Sequence, residues 1–275
     1  MTINEIISAL KSFGADNSNE EAYLIIEYAE GISRAKILSD RNKSYTSPRI
    51  LEILEKRKKR IPLQYILGKW EFMGKEFFVC PDCLIPRPDT EILVERALKE
   101  LKSGQSVADL CTGSGCIGLS LLLYKSDISL TLMDISRGAL NMAIKNAKSH
   151  GIYDRCEFIL GDILKDMPNK KFDMIVSNPP YIPTRDIEFL SEEVKNEPRL
   201  ALDGGENGLD IIEFLIGDGL SYLNKGGKML IEFGYDQGEI IDTRLSKIQN
   251  DGKIKSYEIL RDYGGNTRAV IIYAN

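Results

Sequence analysis

The residues best suited to chemistry are Asn178-Pro179-Pro180-Tyr181, which follow the largely apolar run "FDMIV" at 172–176. Proline has a fixed φ and no backbone N–H, so two in succession end a strand and stiffen what comes next. Two acceptors are left there, the side-chain carbonyl of Asn178 and the backbone carbonyl of Pro179. Fixed acceptors side by side suit the two N–H groups of an amide or exocyclic amine. The lone pair of such a nitrogen is delocalised, and a site that favours a pyramidal geometry makes it a better nucleophile. The Tyr181 ring can lie against the flat face of the same group. The plainer reading of these residues is a strand running into a stiff loop.

A second constellation lies at 107–118, "VADLCTGSGCIG". Gly113-Ser114-Gly115-Cys116-Ile117-Gly118 satisfies G-x-G-x-x-G, and Asp134 ends the next strand 21 residues after Gly113. That matches a dinucleotide fingerprint, but any cofactor needing close backbone approach asks for the same glycines. Asp109, just before the loop, would repel a diphosphate and suits a cation or an ammonium-bearing ligand. "LGDIL" adds Asp162 and Ile163 after a third strand. Taken singly, Asp134 reads equally as a helix N-cap and Asp162 as a turn residue. Three acid-bearing strand ends in succession point instead to a ligand site at the carboxyl edge of a sheet.

The elements that must position these residues alternate from Ser106 onward. "SVADLC", "SLTLMD", "CEFILG", "KFDMIVSN", "GGKMLIEFG", "KSYEILRD" and "TRAVIIYA" read as strands. Helices are predicted at 115–124, 137–150, 208–224 and 237–249. The fold class is therefore α/β: a doubly wound, mostly parallel, seven-stranded sheet with both faces covered. Only "YGGN" separates the last two strands, so the final strand is expected to be antiparallel. Residues 1–60 read as helical. Ile6, Ile7, Leu10 and Phe13 share a face that stops at Gly14, Ser18 and Glu21 form a capping-box pattern, and Pro48 opens a helix ending in the cations Lys56 to Arg60. The cation run reads as a solvated, dipole-favoured helix end, with an acidic partner or RNA as the second reading. Residues 63–80, with aromatic and branched residues around Gly68 and Gly74, predict a β-hairpin. The expected organisation is a helical domain at 1–62, a hairpin linker at 63–83 and the α/β domain at 84–275.

Composition narrows the function. The 275 residues are 43% hydrophobic and 28% charged, with no apolar stretch near the ~20 residues of a membrane span. The amino terminus carries early acids and no signal-like apolar core, which points to the cytoplasm. A net charge of −5 argues against gripping a phosphate backbone as the main task. Of the five cysteines only Cys80 and Cys83 have ligand-like spacing; no second pair follows, so no metal is expected. The one histidine, His150, lies near a helix end, where it reads as a dipole-complementing cap. Ser–His and Cys–His nucleophilic schemes are correspondingly disfavoured.

The glycine loop, the acids and Asn-Pro-Pro-Tyr together resemble the class I S-adenosylmethionine-dependent methyltransferases. The resemblance implies that Cys111, Thr112, Gly113, Ser114 and Gly115 pass under the methionine part of S-adenosylmethionine. It also implies that Asp134 holds the ribose hydroxyls, that Asp162 meets the adenine amino group and that Ile163 packs on the adenine ring. Methyl transfer needs its nucleophile in line with the methyl–sulfur bond. Asn178, Pro179 and Tyr181 are then the catalytic candidates, Asn178 also faces the cofactor, and Pro180 joins them in holding the substrate. No strong general base is required if the proton leaves as or after the bond forms.

Asn-Pro-Pro-Tyr is shared by enzymes acting on adenine in DNA, guanine in RNA and glutamine in protein. Here "LIPRPDTEILVE" precedes the core, "NEPRLALDGGENGL" follows it, and the intervening length leaves no room for a large DNA-recognition domain. With these segments the chain is similar, over essentially its whole length, to the release-factor glutamine methyltransferases (PrmC/HemK). That resemblance implies methylation of the glutamine amide in the Gly-Gly-Gln loop of class 1 peptide-chain release factors, which the domain at 1–62 helps to hold. It implies no nucleic-acid substrate and no membrane, and a monomer is expected. The alternative is a nucleic-acid exocyclic-amine methyltransferase using the cations at 56–60. A non-catalytic translation-factor binder and a nicotinamide dehydrogenase are the remaining readings. Cys111 and Cys116 depart from the family's small loop residues, and Cys80 and Cys83 are outside its pattern.

Overall fold

In the computed structural model, which describes residues 1–275, the chain starts with a reciprocal cap. The Thr2 hydroxyl accepts from the Glu5 N–H at 3.4 Å, and the Glu5 carboxylate accepts from the Thr2 N–H at 2.7 Å. This capping box opens α1 (Ile3–Ser12), which is followed by α2 (Ser18–Glu30), α3 (Arg34–Ser39), α4 (Pro48–Lys58) and α5 (Leu63–Leu67). Their shared core includes Ile6, Leu10, Ile25, Ile26, Ile50 and Ile53. The compact unit they form spans Met1–Gly68 and takes in Ser191–Asn196 as well.

The capping box expected at Ser18 and Glu21 is absent. Ser18 is buried and donates its hydroxyl to the Ala15 carbonyl at 2.8 Å. The Glu21 carboxylate is taken by Arg57, whose Nε and Nη2 both lie 2.8 Å from it. Arg57 is only 1% exposed, so it needs compensation on every side. It gets this from the Ile61 carbonyl at 2.7 Å and from Glu193 at 3.0 Å. The cation run is therefore not one solvated helix end. Arg57 is interior and Arg60 donates to the Phe13 carbonyl at 2.6 Å, leaving Lys56, Lys58 and Lys59 exposed.

The hairpin is shorter than expected. Leu63 to Leu67 are helical because Leu63 fills the core of the first unit with Ile66 and Leu67 packed beside it. β1 (Lys69–Phe72) and β2 (Lys75–Phe78) then pair antiparallel. They begin the second unit, Lys69–Leu190 with Glu197–Asn275. The remaining elements are α6 (Glu91–Glu100), β3 (Ser106–Leu110), α7 (Cys116–Tyr124), β4 (Ser129–Asp134), α8 (Arg137–Ser149), β5 (Cys156–Leu160), β6 (Phe172–Ser177), α9 (Glu192–Lys195, in the first unit), α10 (Asp210–Ile216), β7 (Leu223–Glu232), α11 (Gly238–Asn250), β8 (Ile254–Arg261) and β9 (Thr267–Ala274).

The seven-stranded sheet runs β5-β4-β3-β6-β7-β9-β8, with only β9 reversed. Neighbouring residues of one strand serve opposite cores: Val107, Val176 and Leu230 on one face, Ala108, Ile175 and Ile231 on the other. This is the doubly wound architecture expected. Strand order reverses between β3 and β6, and a crevice at such a switch point is where open α/β sheets take ligands. The helix foreseen over 208–224 stops at Ile216, because Gly217 leaves the helical region; a 3₁₀ segment, Asp218–Tyr222, continues to β7. His150 caps α8, and its Nε2 donates to the Glu76 carbonyl at 3.0 Å. No helix is long and apolar enough to cross a membrane.

Candidate active site

A cavity of about 500 Å³ opens at the carboxyl ends of β3, β4, β5 and β6. Cys111, Thr112, Gly113, Ser114, Asp134, Asp162, Ile163, Asn178 and Pro180 all line it. Gly115, Pro179 and Tyr181 do not: Gly115 caps α7, Pro179 is buried, and Tyr181 is half-buried against the core that holds Leu209 and Ile212.

The loop after β3 is held from behind. Cys111 has φ 58°, a conformation that costs a residue with a side chain and is tolerated mainly where function requires it. Glycine would adopt the same conformation without that cost. The Thr112 N–H donates to the Met133 carbonyl at 3.0 Å. Asp109 is fully buried and turned inward, accepting from the Thr112 hydroxyl at 2.6 Å and the Gly118 N–H at 2.9 Å. It therefore fixes the loop to the start of α7 and does not line the cavity, contrary to the expectation of a ligand-facing carboxylate. Burial pushes its pKa up to about 7.

Asp134 is not the N-cap of α8. Ser136 has that place, accepting from the Ala139 N–H at 3.2 Å. The Asp134 carboxylate instead accepts from the Gly113 and Ser136 N–H groups, each at 2.8 Å, and burial raises its pKa. Each oxygen keeps acceptor capacity toward the cavity. Asp162 does form a turn, accepting from the Leu164 N–H at 3.0 Å and pairing with Lys165 at 2.8 Å, which lowers its pKa. Ile163 is buried on the cavity wall.

Two residues on the cavity wall carry a buried side-chain oxygen without a partner, Ser114 Oγ and Asn178 Oδ1, and of these the Asn178 oxygen is purely an acceptor. The Asn178 Nδ2 donates to the Thr90 hydroxyl at 3.3 Å, whereas its buried Oδ1 has no partner. Buried polar atoms are nearly always paired, so an orphan acceptor on a cavity wall points to a ligand donor.

Comparison with known proteins identifies the family. Residues 2–68 match the family model "PrmC N-terminal domain", and residues 88–205 match "Methyltransferase small domain". The release factor glutamine methyltransferase of Moorella thermoacetica is 36% identical, with 98% of this chain and 96% of that protein covered. The protein of the same description from Geobacter sulfurreducens is 37% identical over 87% of each chain. The chain belongs to the release factor glutamine methyltransferase family. A solved methyltransferase from Pyrococcus furiosus shares the fold, with TM-score 0.56 and 17% identity over 80% of this chain and 98% of that one.

In this member of the release factor glutamine methyltransferase family the segments flanking Asn-Pro-Pro-Tyr form one network with it. Glu197 accepts from the Ile85 N–H at 3.0 Å and pairs with Arg87, which ties "NEPRLAL" to "LIPRPDTE". Ile182 pairs with the return segment through the Leu202 carbonyl and the Gly204 N–H, both at 2.9 Å. The glycines of that segment are required by close approach. A Cβ on Gly204 would fall 2.7 Å from the Pro180 carbonyl oxygen, and one on Gly208 would fall 2.2 Å from that of Tyr181. Gly208→Ala is accordingly expected to destabilise the protein by about 1–3 kcal/mol and to slow turnover, because φ is also positive there. Urea denaturation checks this; an unchanged midpoint with full activity would contradict it.

Three supporting residues escaped the sequence reading. Gln237 donates to the Tyr181 and Gly208 carbonyls at 2.9 and 3.1 Å. Asn146, fully buried on α8, exchanges hydrogen bonds with the Phe78 backbone and donates to the Ser114 carbonyl at 2.8 Å. Glu232 ends β7, fully buried. Nothing local in the sequence marks these residues, since each works through a partner distant in the chain.

Proposed function

We propose that the protein transfers a methyl group from S-adenosylmethionine to the side-chain amide nitrogen of the glutamine in the Gly-Gly-Gln motif of class 1 peptide-chain release factors. The observation that carries the reading is the orphaned Asn178 Oδ1 on the cavity wall. The cavity lining fits the cofactor: Cys111 to Ser114, with Gly115 turning the chain behind them, would hold its methionine part, Asp134 its ribose and Asp162 with Ile163 its adenine. Once bound, the cofactor supplies an electrophilic methyl group on a sulfonium. Asn178 Oδ1 and the Pro179 carbonyl each accept one N–H of the glutamine amide, which orients its nitrogen and favours pyramidalisation. Pro180 forms the adjoining wall, and Tyr181 is assigned the face of the amide. The first unit, residues 1–62 above all, is assigned to holding the release factor.

A nucleic-acid substrate is less well supported. Two of the five cations it would use, Arg57 and Arg60, are engaged with Glu193 and with backbone carbonyls. The test is mass spectrometry of a class 1 release factor incubated with the protein and S-adenosylmethionine. A gain of one CH₂ on the Gly-Gly-Gln peptide is expected; labelling of DNA or ribosomal RNA alone would overturn the reading. Asp134→Ala is expected to weaken cofactor binding by about 10- to 100-fold, since charge-assisted hydrogen bonds are lost. Isothermal titration decides it, and an unchanged affinity would remove Asp134 from the cofactor site.

A further inference from the structure

Glu232 is a buried carboxyl that folding does not explain. It directly follows Ile231, the register partner of Ser177, so Glu232 and Asn178 leave the sheet side by side. Its carboxyl lies within hydrogen-bonding reach of the Thr90 hydroxyl and the Asn178 amide. Its Oε2 has no partner, although the residue is only 2% exposed. The nearby cation, Arg268, is already engaged with Asp89 at 3.1 Å and Asp262 at 3.3 Å. A carboxyl buried this way is costly unless its position serves something else.

The two ends of an asparagine amide have nearly the same shape and opposite hydrogen-bonding character. Behind Asn178 stand Thr90 Oγ1, which accepts from Nδ2 at 3.3 Å while its own proton is directed to the Glu232 carboxylate, and that carboxylate itself. They favour the flip that turns NH₂ inward and leaves Oδ1 at the cavity. The opposite flip would set Oδ1 against a carboxylate and present N–H groups to an amide that is itself a donor. We propose that Glu232, together with Thr90, is a positioning residue that holds the Asn178 amide in its acceptor-outward flip. The inference rests on the amide chemistry proposed above. It adds a cause for the orphaned oxygen and identifies the residue pair that enforces it.

Five full-length proteins test this: wild type and the variants Glu232→Met, Glu232→Gln, Thr90→Val and Thr90→Ser. Each is assayed with a release factor and S-adenosylmethionine. Glu232→Met is expected to lower kcat about 30- to 100-fold with KM for the release factor and cofactor affinity within about twofold, because only orientation is lost. Glu232→Gln, which keeps an acceptor oxygen, recovers most of kcat, and Thr90→Ser does the same relative to Thr90→Val. The urea midpoint of Glu232→Met at pH 8 should equal or exceed that of wild type. Burial pushes the Glu232 pKa up to about 7, so the folded state holds a proton more tightly than the unfolded state; stability falls as pH rises from the ordinary carboxylate range toward 7, and the full penalty is present above it. A ¹⁵N spectrum should show the Asn178 side-chain amide shifted in Glu232→Met.

Full kcat in Glu232→Met would overturn the proposal. So would a kcat loss accompanied by an equal loss of cofactor affinity and a lowered midpoint, which is the mark of a merely structural role. An Asn178 amide signal unchanged by Glu232→Met would overturn it as well. If wild type itself fails to methylate release factor, the proposed function falls, whereas the amide spectrum still decides what Glu232 does.

Discussion

Asn178→Ala is expected to cut methyl transfer to a release factor about 1000-fold, the upper end of what one preorganised hydrogen-bonding group supplies. Affinity for S-adenosylmethionine should change by no more than about threefold, because the groups assigned to the ribose and adenine are untouched. The effect is large for a geometric reason. Asn178 follows a central strand, its Nδ2 is held at 3.3 Å by Thr90, and its Oδ1 needs no reorganisation to meet an incoming N–H. Alanine leaves the Pro179 carbonyl as a single acceptor, which can hold the amide but not fix its tilt. Single-turnover kinetics at saturating cofactor separate the two quantities. Turnover within tenfold of wild type would remove Asn178 from the chemistry, and a parallel collapse of cofactor affinity would reassign it to cofactor binding.

Arg57→Ala is expected to lower the unfolding free energy by about 3–5 kcal/mol, the range for breaking a buried ion pair from one side. The guanidinium answers Glu21, Glu193 and the Ile61 carbonyl at once. Without it, Glu21 loses both of its partners at 2.8 Å while remaining in a partly buried place that already raises its pKa. Arg57→Lys should recover only part of the loss, since an ammonium cannot reproduce the two-pronged contact with Glu21. Equilibrium urea denaturation checks this. A change below about 1 kcal/mol would show that the network is no stronger than a surface ion pair.

What the sequence made legible was local, and what it hid was not. Short apolar strands, the glycine loop and the paired prolines act within a few residues of themselves, so sheet, crevice and Asn178 could all be placed. Ser18 and Glu21 obeyed the same local logic and misled, because the partner that claimed Glu21 lies 36 residues away. Asp109 was correctly set at a strand end but given the wrong direction, since only the fold shows the Gly118 N–H behind it. "LIPRPDTE" and "NEPRLALDGG" were recognisable as family segments without a reason for their residues. The reason is Glu197 reaching Ile85 and Arg87 across more than a hundred residues, and Thr90 reaching Asn178 across 88. Glu232 carries no signal at all, being one acid in an otherwise ordinary strand.

The order of strands in the sheet also bears on how the protein is made. β6 lies between β3, synthesised well before it, and β7, synthesised some 50 residues after it. On the ribosome β6 can dock on β3 as soon as both have emerged, but until β7 follows it is an open edge of mostly apolar residues, the kind that recruits other chains. Over the same interval Asn178 has neither the strand that carries Glu232 nor the Gln237 side chain that holds the Tyr181 carbonyl. A nascent chain synthesised only as far as residues 210–222 would therefore possess every motif of the site and still lack Glu232 and Gln237 behind Asn178 and Tyr181, and would be most exposed to aggregation at that point.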